Sequence, residues 1–359
     1  RGKKQVGGKC PQKHEGSTLH CESTTFLSAH TQSTIQPMAQ SNCTQVTQFI
    51  LVGFTEEPVT QGNLFLLFLL TYLVTIVGNL GIIILIRASP HLHSPMYYFL
   101  GNLAFVDLCS STIITPKMLV DLMLEKKSIA YAGCVAQVFL FDLFGITECF
   151  LLASMAYDRY VAICHPLLYP LVMSPKCCFQ LVTGSYLMGL TNGVRHTIGI
   201  VFGGSFCGPN RIDHFFCDAV PVLKLVCSDT HSSEMVIFAF VTINVVGASV
   251  VILLSYISIL RTVLRMCSAQ SRARAFHTCA SHLMAVSMYF GPAFFMYLQP
   301  SSRHRSLDKV ASIFYAMVTP MLNPFIYSLR NKEVKGALLK SGRMLFRHWQ
   351  HARLVSSRT

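Results

Sequence analysis

Charge is what this sequence has least of. Lys, Arg, Asp and Glu together make up 13% of its 359 residues, about half the roughly 25% of an ordinary soluble domain. Mean hydropathy is +0.47. That scarcity excludes a water-soluble globule, and an apolar content of 52% excludes a disordered chain. Short catalytic signatures are also missing. No H-E-x-x-H, G-x-S-x-G or G-x-x-x-x-G-K-[ST] occurs, so no enzyme is expected. The two halves share no repeat, which argues against a transporter. The apolar runs are too long, and alternate too little, for a membrane β-barrel. The net charge of +13 invites a nucleic-acid reading. A chain this apolar fits a membrane protein instead, with lipid and not nucleic acid around it.

A bilayer core about 30 Å thick needs roughly 20 apolar helical residues. Seven stretches meet that need, at 63–86, 96–120, 133–157, 178–201, 234–260, 275–298 and 310–329. The expected fold is an all-α membrane protein, a seven-transmembrane helix bundle with a short amphipathic C-terminal helix. Residues 1–62 form a tail, 63–329 the bundle, and 330–359 a helix and tail on the opposite side. Residues 1–37 are polar and basic without an apolar period, and are expected to be a disordered extension; Met38 follows them.

Loops after spans one, three and five, with the C-terminal tail, carry 15 Lys and Arg against two acids, Asp158 and Glu333. The other side, with the outer ends of the spans (Lys117, Arg195 and Glu234), holds 14 Lys and Arg against 11 acids, and three acids lie deeper within the spans. The positive-inside rule then puts the N-terminus outside and the C-terminus in the cytoplasm of a multi-pass plasma-membrane protein. The one N-x-S/T sequon, Asn42-Cys43-Thr44, falls in the outer tail, making Asn42 the glycosylation candidate. Cys134 opens span three at the same face, and the loop after span four holds Cys207, Cys217 and Cys227. Cysteines gathered on an oxidising face read as disulfides, but spacing leaves their connectivity open.

A charge within a bilayer is a functional candidate by default. Asp107 lies mid-span in the second helix and Glu148 mid-span in the third. Two carboxylates at one depth repel unless a cation or protons lie between them. The alternatives are a sodium site and a pair of protonated acids. Asp142 lies nearer the outer face; it either meets a ligand or bonds to a neighbouring helix. Asp158-Arg159-Tyr160 closes span three at the inner face, where the Arg can leave its Asp when a partner docks. Pro320, Asn323, Pro324 and Tyr327 place kinks and a polar group in span seven. Gly78-Asn79 gives span one a close-packing residue and an interhelical hydrogen-bonding group. Residues 331–345 interleave Val334, Leu338, Leu339 and Leu345 with Lys332, Lys335, Lys340 and Arg343, an amphipathic basic helix for the membrane surface.

Together these motifs resemble the odorant receptors, within the rhodopsin-like G-protein-coupled receptors. The resemblance covers residues 38–345. It rests on Gly78-Asn79, Leu92-His93-Ser94-Pro95-Met96-Tyr97-Tyr98-Phe99-Leu100, Met155-Ala156-Tyr157-Asp158-Arg159-Tyr160-Val161-Ala162-Ile163-Cys164, Ser255-Tyr256, Ala275-Phe276-His277-Thr278-Cys279-Ala280-Ser281-His282-Leu283, and Pro320-Met321-Leu322-Asn323-Pro324-Phe325-Ile326-Tyr327. The resemblance implies disulfides Cys134–Cys217 and Cys207–Cys227, and a sodium site at Asp107 and Glu148. It implies G-protein coupling and activation through Asp158, Arg159, Tyr160, Tyr256, Asn323, Pro324 and Tyr327. The implied partners are a small volatile odorant and a heterotrimeric stimulatory olfactory-type G protein acting through cAMP. No other cofactor is expected. Helical position nominates Phe141, Asp142, Gly145, Ile146, Phe290, Phe294 and Tyr297 for the ligand, with core packing as the alternative for each Phe. The chain departs from the family pattern at Tyr289-Phe290-Gly291, where the family shows Phe-Tyr-Gly, so an apolar pocket floor is expected. It also carries Arg195 near the outer end of span four, whose head is expected to snorkel outward.

Overall fold

The computed structural model describes residues 46–201, 206, 210–226, 231–298, 305–330 and 334–337, with side chains at all of these except 231–234, 295–298, 305–308, 329 and 330. Seven long helical segments run through it: α1 Pro58–Ala88, α2 Pro95–Met123, α3 Tyr131–Cys164, α5 Pro175–Val201, α7 His231–Arg265, α8 Ala269–Leu298, and the continuous run α9 Arg305–Ile313, a π-helical turn Phe314–Val318, and α10 Thr319–Arg330. Two short helices, α4 Tyr169–Val172 and α6 Ala219–Leu223, lie in the connections. Pro58, Pro95 and Pro175 open their helices, a position where the missing N–H has no intrahelical partner to lose. The π-turn lies immediately before Pro320. There the ring opposes the carbonyl of the preceding turn, and the ladder widens to make room.

Among the described residues, five helices are long and apolar enough to cross a membrane by length and composition. The other two, α5 and α8, have the length, at 27 and 30 residues, but carry more polar side chains. The exposed face of α1 shows how the bundle meets its solvent. Leu66, Leu70, Leu73, Val77, Leu80 and Ile84 form one stripe, each at least 44% exposed. In water such a stripe would be an aggregation surface; in a bilayer it is the lipid face.

Helix α3 is the hub, packed against α2, α5, α7 and α8, while α1 lies against α2 and α10. The α3–α5 crossing is the tightest. A Cβ on Gly189 would overlap the Leu143 carbonyl and Thr147 Oγ1, and one on Gly193 would come within 2.7 Å of the Phe139 carbonyl. Only glycine allows the two backbones to approach so closely, the logic of the G-x-x-x-G spacing. At α1, Asn79 Nδ2 donates to the Pro320 carbonyl at 2.9 Å and the Thr75 carbonyl at 3.0 Å. That bond uses a carbonyl freed near the kink of span seven.

One element lies outside the all-α expectation. Strand β1 (Gln48–Leu51) pairs antiparallel with β2 (Ser128–Ala130) and parallel with β3 (Arg211–Ile212), making a three-stranded sheet over one end of the bundle. Strands of two to four residues give too short an alternation to stand out in sequence. Gly53, at φ +73°, turns the chain off β1 towards α1.

The bundle extends past the sequence boundaries at several ends, α1 beginning at Pro58 and α3 continuing to Cys164. Of the expected C-terminal amphipathic helix only 334–337 is described. It is helical, with Val334 and Ala337 buried and Lys335 exposed. Residues 1–37, Asn42, Cys207 and Cys227 lie outside the described residues.

Candidate functional site

At the sheet end, Cys134 at the start of α3 is bonded to Cys217, with Cα atoms 5.4 Å apart. Gln137, one turn on, fixes the same loop. Its Oε1 accepts from the Cys217 N–H at 2.8 Å, and its Nε2 donates to the Ile113 carbonyl of α2 at 3.0 Å. Phe206 and Val226, which immediately precede the two remaining loop cysteines, form an antiparallel bridge. The loop is tied to span seven as well. Lys309 Nζ donates to Asp213 at 2.9 Å and to the Gly53 carbonyl at 3.1 Å. His214 Nε2 lies 3.3 Å from Ser312 Oγ. Burial, then the charge of Lys309, pushes the His214 imidazole down to about 4, so it stays neutral in neutral solution and stacks on Phe215.

The ligand candidates whose side chains are described each have neighbours within the bundle. Phe141 packs on Phe216 and Tyr315, with ring centroids at 5.1 and 5.7 Å. Phe290 is buried, edge-on to Tyr289 and tilted against Phe294, while Phe294 is partly exposed. Gly145 meets α8 through its carbonyl, which accepts from the Tyr289 hydroxyl at 2.6 Å. The phenol missing at position 290 is thus present one residue earlier, but turned to α3. Ile146 is buried beside it. The side chain of Tyr297 lies outside the described residues.

Asp142 takes the second of its two alternatives. Its Oδ2 pairs with His196 Nδ1 of α5. Arg195 continues that chain, correcting the expectation that it snorkels outward. Its Nη2 donates to Asn192 Oδ1 at 3.1 Å, its Nη1 to the Val236 carbonyl at 3.2 Å, and its guanidinium carbon lies 3.9 Å from the centre of the Phe240 ring. Asn244 Nδ2 also donates to Asn192 Oδ1, at 3.2 Å. A hydrogen-bonded and π-stacked guanidinium between α5 and α7 gains more than one extended into the headgroups.

In the middle of the bundle Asp107 is fully buried and Oδ2 accepts from Asn323 Nδ2 at 3.0 Å. Glu148, also buried, interacts with both Asp107 and Asn323. Asp107 Oδ1, Glu148 Oε1 and Asn323 Oδ1 have no hydrogen-bond partner among the described residues. Three helices therefore converge on unmet oxygens. Among the described residues no cluster of three or more His, Cys, Asp or Glu forms, so a metal candidate here consists of two carboxylates and an amide.

At the far end Asp158 Oδ1 accepts from the Tyr169 hydroxyl of α4 at 2.8 Å, while Arg159 Nε stands 4.0 Å from Asp158 Oδ2. Tyr160 and His165 Nε2 are 3.0 Å apart. Tyr256 of α7 does not reach Arg159; its hydroxyl lies 2.7 Å from His282 Nδ1 of α8, and His282 Nε2 lies 3.0 Å from the Leu152 carbonyl of α3. Tyr327 is buried, its hydroxyl unpartnered among the described residues. Pro324 packs on Gly78, where an added Cβ would stand 3.1 Å from its ring.

Gln137, Tyr169 and His196 escaped the sequence reading, and so did the bonds of His282, which entered it only within a motif. A histidine inside an apolar run was the available signal for the last two, since a polar group at that depth needs a partner.

A family model described as "Olfactory receptor" matches residues 68–346. Olfactory receptor 5AP2 of Mus musculus is 55% identical over 300 residues, covering 83% of this chain and 94% of that protein. Olfactory receptor 8G5 of Homo sapiens is 51% identical over 332 residues, covering 92% of this chain and 95% of that protein. Among solved structures, squid rhodopsin superposes with a TM-score of 0.64 at 19% identity, covering 80% of this chain and 82% of that one. The seven-helix fold is therefore that of a multi-pass membrane receptor and not of an enzyme, and the chain belongs to the olfactory receptor family.

Proposed function

We propose that the chain binds a small volatile organic molecule in the half of the bundle nearer the sheet, and that binding activates a stimulatory olfactory-type G protein and raises cAMP. The observation that carries the reading is the Tyr256–His282–Leu152 contact, which ties α7 and α8 to α3 about two turns from Arg159. A ligand shifts a two-state bundle only through its preference for one state. Binding that draws α8 away from α3 breaks this contact and leaves Tyr256 and Arg159 for the partner. The contact between Tyr289 and Gly145 joins the same two helices nearer the ligand, which gives the motion a path. Phe141, Gly145, Ile146, Phe290, Phe294 and Tyr297 are the proposed ligand contacts, a mostly apolar set as small-molecule sites are.

In this reading the N-terminus, the sheet and the Asn42 glycan are extracellular, and Asp158, Arg159 and Tyr160 are cytoplasmic. The charge asymmetry of the loops supports that orientation. The second pair of loop cysteines, Cys207 and Cys227, closes a further disulfide; the Phe206–Val226 bridge supports it. The unmet oxygens of Asp107, Glu148 and Asn323 fit a sodium ion. The two carboxylates would hold it, and it would supply the charge that lets both stay ionised.

The test is a panel of odorants read by cAMP in cells that deliver the receptor to the surface. At least one should raise cAMP several-fold over cells without receptor. A calcium response without cAMP would replace the stimulatory G protein by another class. Odorant-gated ion flux in liposomes, with no G protein present, would overturn the reading in favour of a transporter.

The pairing of Asp142 with His196 supports a structural acid over a counter-ion for amines. If amines activate the receptor, Asp142→Asn should keep their potency within about threefold, since an amide still bonds the imidazole. A loss of potency confined to amines and sparing neutral odorants would show the carboxylate meeting the ligand directly.

A further inference from the structure

A cleft of about 610 Å³ opens beside the sheet, lined by none of the ligand candidates. Its floor is Ile50 and Leu51 of β1 with Val52 after them; Pro58 and Gln61 of α1 form one wall, and Met123 at the end of α2 with Leu124 to Lys127 beyond it the other. Its size lies within the range of small-ligand sites. Four charged side chains on its rim are exposed: Glu56, Glu125, Lys126 and Arg211. None of them pairs with another described residue. Their neighbours are committed. Lys127 is buried and donates to the Thr55 carbonyl at 3.1 Å, and Glu57 accepts from Thr60 at 2.7 Å.

The free set is two acids and two bases, so it favours neither an anion nor a cation as a whole. It suits a ligand that carries both signs a few ångströms apart. The apolar side chains beside it are just as specific. Val59, Val120, Met123 and Leu124 are exposed on the adjoining turns, Met123 at 68%. They continue the lipid face to the edge of the cleft. A mixed-charge seat that grades into lipid-facing surface at the helix ends matches a molecule with a dipolar head and acyl tails.

We propose that this cleft holds the headgroup of a zwitterionic membrane phospholipid, phosphatidylcholine. Its phosphate sits on Lys126 and Arg211, the planar guanidinium giving two parallel donors. Its quaternary ammonium faces Glu56 and Glu125, and its acyl chains lie over Met123 and Leu124. A lipid seated there joins β1 and the ends of α1 and α2 to the bilayer.

The test is native mass spectrometry of the full chain released from nanodiscs of equal phosphatidylcholine and phosphatidylglycerol. The wild type should retain phosphatidylcholine over phosphatidylglycerol about fivefold, as fits a few charge pairs at a water-exposed rim. The double variant Glu56→Gln/Glu125→Gln should lose that preference and keep phosphatidylglycerol. The double variant Lys126→Gln/Arg211→Gln should retain less of both. Equal retention by the wild type, or wild-type preference in either variant, overturns the proposal. Soluble glycerophosphocholine should fail to displace the lipid; displacement at equal concentration would make the site one for a free solute and overturn the lipid assignment. The four side chains are exposed, so all variants should melt with the wild type, and a drop in Tm would assign them to the fold instead. The measurement reads lipid alone, so it stands or falls separately from odorant signalling.

Discussion

Arg159→Ala should reach the cell surface and give almost no odorant-evoked cAMP. The guanidinium sits at the end of α3 with Nε lacking a hydrogen bond among the described residues and its neighbouring Asp158 already held by Tyr169. Asp158 therefore holds Arg159 loosely, at 4.0 Å, and a docking partner has little to displace. A charge-assisted contact made only in the coupled state contributes about 1.5–3 kcal/mol, which corresponds to roughly a 10- to 150-fold loss of coupling when removed. Folding should survive, because the ion pair lost with Arg159 is a long one, 4.0 Å, and Asp158 keeps its bond from Tyr169. Surface labelling of an N-terminal tag and a cAMP assay on the same cells separate the two effects. Full cAMP from a surface-expressed Arg159→Ala would remove this arginine from the coupling mechanism. Loss of surface labelling would instead give it a folding role.

Gly189→Leu should be the most damaging substitution in the helices. Its Cβ would overlap the backbone of α3 at the Leu143 carbonyl, and Thr147 Oγ1 is held in place by its own bond to that carbonyl at 2.6 Å. Neither obstacle is the free end of a flexible side chain, so α5 must move off the hub helix. Overpacking of this kind costs on the order of 3 kcal/mol, a fall in Tm of roughly 6–12 °C. Gly199 is the control on the same helix, since a Cβ there meets nothing within 4 Å. Thermal unfolding of the two purified variants should place Gly199→Leu with the wild type and Gly189→Leu well below it. Coincident melting curves would mean that the α3–α5 crossing has more room than its glycines imply.

Much of this molecule could be read from the chain because a bilayer leaves few options. Backbone polar groups must be satisfied within each segment, so long apolar runs become helices and their number gives the bundle. Asn79 and Pro320 illustrate the same legibility at the level of contacts. A polar residue in span one and a proline in span seven each promised a partner, and they bond to one another. The functional side chains were harder. Asp142, Arg195 and His196 are near neighbours on two helices, but which of them bond depends on rotation and depth, which hydropathy does not encode. Asp142 looked available to a ligand only because the partner histidine, on α5, was 54 residues away in sequence. The sheet was hidden for a simpler reason. Its strands are too short to show a period, and its order joins segments that no local pattern connects.

That order has a consequence for synthesis. Gln48 accepts from Asn210 across 162 residues, so β1 has been made long before β3 exists. At roughly 5–20 residues per second, the strand waits about 8–32 s for its second edge. Through that interval it presents an unpaired row of amides and carbonyls, the kind of edge that pairs with wrong strands. The sheet thus stays open on one side until the loop after span four has been made. Cellular folding helpers that shield β1 should matter for how much receptor reaches the surface, whatever the odorant.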